Sequence, residues 1–179
     1  MITKFDSSYY GTADMENLGY VGTPINERRY TKEQLAGALH KVVTYAKCMD
    51  ERGFNTFWMA EHHFQPEGTE LIPNLLMMAM HLVNVTRNLK IGCGFNVVPM
   101  WHPLRLAEDY AMADVLSGGR VIFGVARGYH TREVETFGSP LMPYFAMKSK
   151  ARSEPLWIGC QHSTGSRSGA GIRVISFKV

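Results

Sequence analysis

FNTFWMAEHHF, residues 54–64, is an apolar run of strand length that ends abruptly in Glu61, His62 and His63. The near absence of polar side chains up to Met59 implies a strand covered on both faces, as parallel strands beneath helices are. A carboxyl group and two imidazoles at the carboxyl end of such a strand lie where parallel sheets hold their ligands. Upstream, residues 31–53 read as the helix that packs on this strand. Thr31 caps it while Gln34 reaches back, Leu35, Leu39, Val42, Val43, Ala46 and Met49 recur at helical spacing, and Gly53 stops it.

The same alternation continues downstream. After a polar loop at 65–70, residues 73–87 predict a second helix carrying Leu75, Leu76, Met78, Met80, Leu82 and Val83. Its methionines read as flexible core filler rather than a cofactor box. LKIGCGFNVV, residues 89–98, is the next strand, in which Gly92 and Gly94 cost stability unless something approaches the backbone closely. His102 and Pro103 open a third helix, with Leu104, Ala107, Ala111 and Val115 as its expected buried stripe and Leu116-Ser117-Gly118-Gly119 as its end. Residues 120–126 form another apolar strand, followed by Arg127, Gly128, Tyr129 and His130, and a fourth helix runs from Thr131 to Phe137-Gly138. In the other direction, residues 11–30 are a Gly-, Asn- and Pro-rich loop, and residues 1–10 hold a weakly patterned first strand. Strands alternating with helices predict an α/β fold of right-handed βαβ units around a parallel sheet. The polar clusters at Glu61-His62-His63, at Asn96 with His102, and at Arg127-Gly128 then all fall at carboxyl ends of strands.

Composition narrows the classes. The 179 residues suffice for one domain with a core, and the formal net charge is only +3. Residues 1–138 hold 13 Lys/Arg and 15 Asp/Glu, whereas residues 139–179 hold six and one, so the excess is a basic tail. Without interleaved aromatics that tail does not argue for a nucleic-acid partner. Three cysteines with no CxxC spacing suggest neither a disulfide framework nor a zinc site. No run is long enough to span a bilayer and MITKFDSSYY lacks the apolar core of a signal peptide, so a reducing cytoplasm and no membrane partner are expected. The repeat fills residues 1–138. Residues 139–179 read as an irregular tail with a linker at 162–173, a short strand in EPLWIGC (154–160) and another in IRVISFKV (172–179).

AEHHF at 60–64, HPLRLAEDYAMADVLSGGR at 102–120 and FGVARGYHTREVETFG at 123–138 resemble, in order and spacing, the bacterial luciferase-like flavin monooxygenases. The resemblance covers about the first three-quarters of the chain. It implies a (β/α)₈ TIM barrel, reduced FMN as cofactor with the deazaflavin F420 in some members, and insertion of one oxygen atom from O₂ into a small organic substrate. A flavin reductase that supplies the reduced FMN is the implied protein partner. His62 resembles the family's active-site histidine, and an imidazole is apt because it exchanges a proton near neutral pH; the alternative is a structural imidazole bonded to backbone. Arg127 resembles the arginine on the flavin phosphate, with a plain surface arginine as its alternative. Gly94-Phe95 falls where the family can have a non-proline cis peptide beneath the isoalloxazine ring. Asn96 and His102 are expected to line the pocket, unless His102 only caps its helix. Ala126 stands where the luciferase itself carries a reactive cysteine.

A complete (β/α)₈ barrel takes about 250 residues. The expectation here is therefore a partial barrel of about the first four βα units, arising from a truncated product, a reduced family member, or a homodimer whose copies pair their open strand edges. Three activities remain open: the flavin monooxygenase, a non-catalytic flavin-binding or inactive remnant, and an F420-dependent hydride-transfer oxidoreductase. Metal-dependent hydrolysis through His62, His63 and His102 is disfavoured, because adjacent residues on a strand point apart, and no metal is expected.

Overall fold

The computed structural model describes residues 4–18 and 21–139 together with the backbone of residues 174–175. In chain order the elements are β1 (Asp6–Ser8), α1 (Lys32–Glu51), β2 (Thr56–Met59), α2 (Leu75–Val85), β3 (Lys90–Val97), α3 (Pro103–Ser117), β4 (Val121–Ala126), α4 (Thr131–Thr136) and β5 (Val174–Ile175). All strand pairs are parallel, and the sheet order is β1-β2-β3-β4-β5. That order decides the architecture. Right-handed crossovers that always step to the next strand put every helix on one face, whereas a doubly wound sheet reverses direction and has helices on both. The sheet is thus singly wound, the arrangement of consecutive βα units in a (β/α)₈ barrel. The strand expected within 172–179 is present as β5; the strand expected at 154–160, Cys160 and the rest of the basic tail lie outside the described residues.

Strand alternation sorts side chains between the two faces. Phe57 and Met59 of β2, Ile91 and Cys93 of β3, and Val121 and Phe123 of β4 join one buried cluster with Val42, Ala46 and Met49 of α1 and with Leu75, Ala79, Leu82 and Val83 of α2. Each large apolar side chain so buried contributes about 1.5–3 kcal/mol. Burial pushes the Cys93 thiol up to about 12, which keeps it protonated and inert. On the opposite face Trp58 is paired in register with Gly92. A Cβ on Gly92 would lie 2.2 Å from Trp58 Cε3 and one on Gly94 2.9 Å from it. The close approach that the two glycines call for is therefore an indole laid across β3.

The capping box of α1 forms as expected: Thr31 Oγ1 accepts from the Gln34 N–H at 3.2 Å and Gln34 Oε1 accepts from the Thr31 N–H at 2.8 Å. The buried face of α1 is Ala38, Val42, Ala46 and Met49, with Leu35 exposed at its start. In α3 the expected stripe is overturned. Leu104 and Val115 are 62% and 74% exposed, and the residues turned inward are Leu106, Tyr110, Ala113, Asp114 and Ser117. Polar groups claim that face because the sheet offers partners. Asn96 Nδ2 donates to Tyr110 Oη at 2.6 Å, and Ser117 Oγ accepts from the N–H groups of Arg120 and Val121.

The amino ends of the strands are tied by two side chains far from the His cluster. Asp50 accepts the N–H groups of Arg87, Asn88 and Leu89 at 2.7–2.8 Å. Arg120 donates to the carbonyls of Val83 and Thr86 at the end of α2. Partial burial raises the Asp50 carboxyl, but the three N–H donors and Arg120 outweigh it and hold the group below its ordinary value. A depressed native pKa adds stability above the unfolded-state pKa, and that stability is lost as pH falls through the native one. Asp50→Asn is therefore expected to cost about 1–2 kcal/mol at neutral pH, with the difference shrinking in acid. Urea unfolding of both proteins at neutral and acidic pH checks this, and a pH-independent difference would refute it.

Candidate active site

The carboxyl ends of β2, β3 and β4 converge on two adjoining depressions. One, of about 390 Å³, is lined by Asp6, Ser8, Tyr10, Trp58, Gly94 and Phe95. The other, of about 230 Å³, shares Tyr10, Gly94 and Phe95 with it and adds Glu61, His62, Glu70, Ala126, Gly128, Tyr129 and Glu133. The Gly94–Phe95 peptide bond between them is cis.

Residues 60–63 leave β2 as irregular chain, and their side chains separate. His62 is buried, with 7% of its surface exposed. Its Nδ1 lies 3.1 Å from Glu133 Oε1, and its Nε2 faces Glu70 Oε1 at 3.6 Å. Glu133, on α4, is 1% exposed, and the same Oε1 also accepts from the His63 N–H at 2.9 Å and from Gln65 Nε2 at 2.7 Å. Arg132 on the same short helix donates to Gln65 Oε1 at 2.7 Å and ion-pairs with Glu67 at 3.2 Å, so α4 clamps the 65–70 loop over His62. Tyr129 and His130 lean edge-on against the His62 ring, with centroids 5.9 and 5.4 Å away. Partial burial, followed by the nearness of Glu70 and Glu133, raises the Tyr129 phenol, which keeps it a hydrogen-bond donor.

His63 turns the other way. Its Nε2 is 3.1 Å from Glu61 Oε1, and its ring packs on Phe137. Glu61, 2% exposed, also accepts from the Val97 N–H at 2.6 Å and from Trp101 Nε1 at 2.8 Å. It is a buried staple joining the end of β2 to the end of β3, and it positions His63 rather than His62.

Of the residues singled out from sequence, His62, Gly94, Phe95 and Ala126 meet at the depressions. Arg127 sits exposed just beyond the end of β4, between Ala126 and Gly128. Asn96 is elsewhere: its amide faces Tyr110 and the Gly124 carbonyl on the helix side of the sheet. The reason is a register shift against β4 between Cys93 and Asn96, which breaks the alternation that would have put Asn96 on the same face as Gly94. His102 is exposed and caps α3, accepting the Arg105 N–H at 3.5 Å. Glu133, Gln65 and Glu70 were not identified from sequence, since Glu133 is 71 residues from His62 and only the fold brings them together.

The site suits a planar aromatic cofactor at one end. Tyr10, Trp58 and Phe95 give apolar walls, and Gly94 leaves no Cβ over the strand. The carboxyl groups of Glu70 and Glu133 beside His62 are the wrong chemistry for a phosphate, and Arg127 stands exposed between Ala126 and Gly128 of the same depression.

A family model described as luciferase-like monooxygenase matches residues 17–163. The alkanal monooxygenase alpha chain of Photorhabdus laumondii is 34% identical over 103 residues, covering 58% of this chain and 28% of that protein. The oxygenase component of the flavin-dependent trigonelline monooxygenase of Acinetobacter baylyi is 31% identical over 112 residues, covering 62% and 31%. Among solved structures, the FMN complex of the oxygenating constituent of 3,6-diketocamphane monooxygenase from Pseudomonas putida superposes with a TM-score of 0.60 at 18% identity, covering 76% of this chain and 33% of that one. The chain thus spans about a third of the length of the relatives it matches.

Proposed function

This chain belongs to the luciferase-like monooxygenase family, and from that membership we propose that it works with reduced FMN and O₂ on a small organic substrate. The observation that carries the reading is His62 held by Glu133 at the edge of an aromatic-walled depression. Reduced FMN, when bound, supplies the electrons with which one atom of O₂ enters the substrate and the other leaves as water.

The chain's own residues divide the remaining work. Tyr10, Trp58 and Phe95 receive the ring system and exclude water from it, and Ala126 leaves room beside it. Arg127 binds the phosphate from the end of β4. His62 keeps its Nδ1 proton on Glu133 and gives or takes a proton at Nε2, with Glu70 as the nearest carboxyl group on that side. An alkanal and trigonelline, named for the two relatives, are both small organic molecules and are the first substrates to test. A separate reductase component is part of the proposal because the Acinetobacter relative is an oxygenase component. So is a homodimer, supported by the exposed Leu104, Met112, Val115 and Leu116 of α3.

Equilibrium dialysis of FMN, oxidised and photoreduced, against monodisperse protein tests the cofactor. Micromolar retention is expected, weakened at least about tenfold in Arg127→Ala, as the loss of one charge-assisted phosphate contact would give. No retention by folded wild-type protein would sink the reading.

A further inference from the structure

His62 has a second set of neighbours that proton transfer alone does not use. His62 Nδ1 lies against Glu133, and Nε2 faces a carboxyl oxygen of Glu70 at 3.6 Å, too far for a hydrogen bond; in the tautomer that donates from Nδ1 to Glu133, Nε2 is the ring's lone-pair nitrogen. Two acceptors opposed across such a gap fit an ion between them. Ligand atoms bound at about 2.0–2.1 Å to a tetrahedral zinc ion stand about 3.4 Å apart. His130 completes the arrangement: the ligand atoms of His62, Glu70 and His130 all lie within 4.8 Å of one another. His62 is buried and the other two are half-buried, so side-chain rotation of Glu70 or His130 closes the remaining distance.

We propose that His62, Glu70 and His130 form a three-ligand site for a zinc-class divalent cation. Two imidazoles and one carboxylate favour zinc or cobalt over magnesium or calcium, which prefer all-oxygen shells. The site also has the outer contact that metal-bound histidines ordinarily need: Glu133 holds Nδ1 and aims Nε2 at the ion. Three protein ligands leave a fourth position open toward the depression lined by Gly94 and Phe95. The ion occupies the same nitrogen that exchanges protons in the flavin reaction, so its effect on that reaction is inhibition.

The trio differs from the His62, His63 and His102 set considered from sequence. His63 is turned to Glu61, and His102 stands exposed at the start of α3.

The test is titration of the flavin-free, metal-free protein with Co²⁺, followed by its visible d–d absorption and by competition with Zn²⁺. One equivalent of ion with an intense, low-coordinate spectrum is expected, displaced by zinc. Glu70→Gln and His130→Ala are each expected to weaken binding at least about tenfold, while His102→Ala leaves it unchanged. Absence of the spectrum in folded wild-type protein overturns the proposal, and so does binding that survives both Glu70→Gln and His130→Ala. Because no flavin is present, these outcomes are independent of the cofactor assignment. The inhibitory role is read separately, from whether zinc slows turnover of wild-type protein but not of His130→Ala.

Discussion

Glu61→Ala is expected to destabilise the protein by about 3–5 kcal/mol, the largest effect of any single substitution at the strand ends. Three donors lose their acceptor at once: the Val97 N–H, Trp101 Nε1 and His63 Nε2. The carboxyl group is 2% exposed, so water does not simply take its place. Each stranded donor costs about 1–3 kcal/mol, and the missing side-chain volume adds to that. Glu61→Gln keeps the shape but turns an NH₂ toward one of the donors, so its cost should be smaller, about 1–3 kcal/mol. Urea denaturation with fluorescence and circular dichroism measures both. If Glu61→Ala unfolds within about 1 kcal/mol of wild type, the three bonds do not have the importance assigned to them.

His62→Ala should leave the fold nearly intact and remove the proton relay. A positioned acid or base contributes about 10²–10⁴-fold to rate, so, on the proposed function, oxygen consumption with reduced FMN and a turned-over substrate should fall by about that factor, with FMN retention changed only a few-fold. Glu133→Gln discriminates positioning from bulk. It keeps an acceptor for some of the donors now served by Oε1 but weakens the hold on His62 Nδ1. Its turnover should lie between wild type and His62→Ala, and its pH profile should shift, which a purely structural loss would not cause. Unchanged turnover in His62→Ala would remove the imidazole from the chemistry.

How far the sequence could be read depended on distance along the chain. The strand at 54–59, the capping box at Thr31 and Gln34, and the stop at Gly53 are local signals, and the fold uses them with boundaries moved by a residue or two. Gly92 and Gly94 announced a close approach without naming what approaches, because Trp58 lies on another strand. The α3 stripe was misread for a related reason. Periodicity counts apolar residues, but the sheet side of α3 is chosen by Tyr110 and Ser117, whose hydrogen bonds only the assembled sheet makes available. Asn96 was expected at the pocket from its place near the carboxyl end of its strand and from the family resemblance, and the register shift after Cys93 turns it to the helix side instead. At the site, the place after an apolar strand marked the Glu61-His62-His63 cluster, and the family resemblance singled out His62, which lines the smaller depression. Glu133 was not, since nothing local marks a glutamate in a six-residue helix as the partner of a histidine 71 residues earlier.

The indole laid across the β3 glycines has a practical consequence. Trp58 is both wedged against Gly92 and part of the wall of the larger depression, so its emission originates beside any ring that settles there. Flavins absorb where tryptophan emits, and energy transfer over a few ångströms is nearly complete. The chain therefore contains its own optical gauge of occupancy. Trp101, tied to Glu61 at the neighbouring strand end, is a second emitter, since energy transfer to a flavin needs no direct contact.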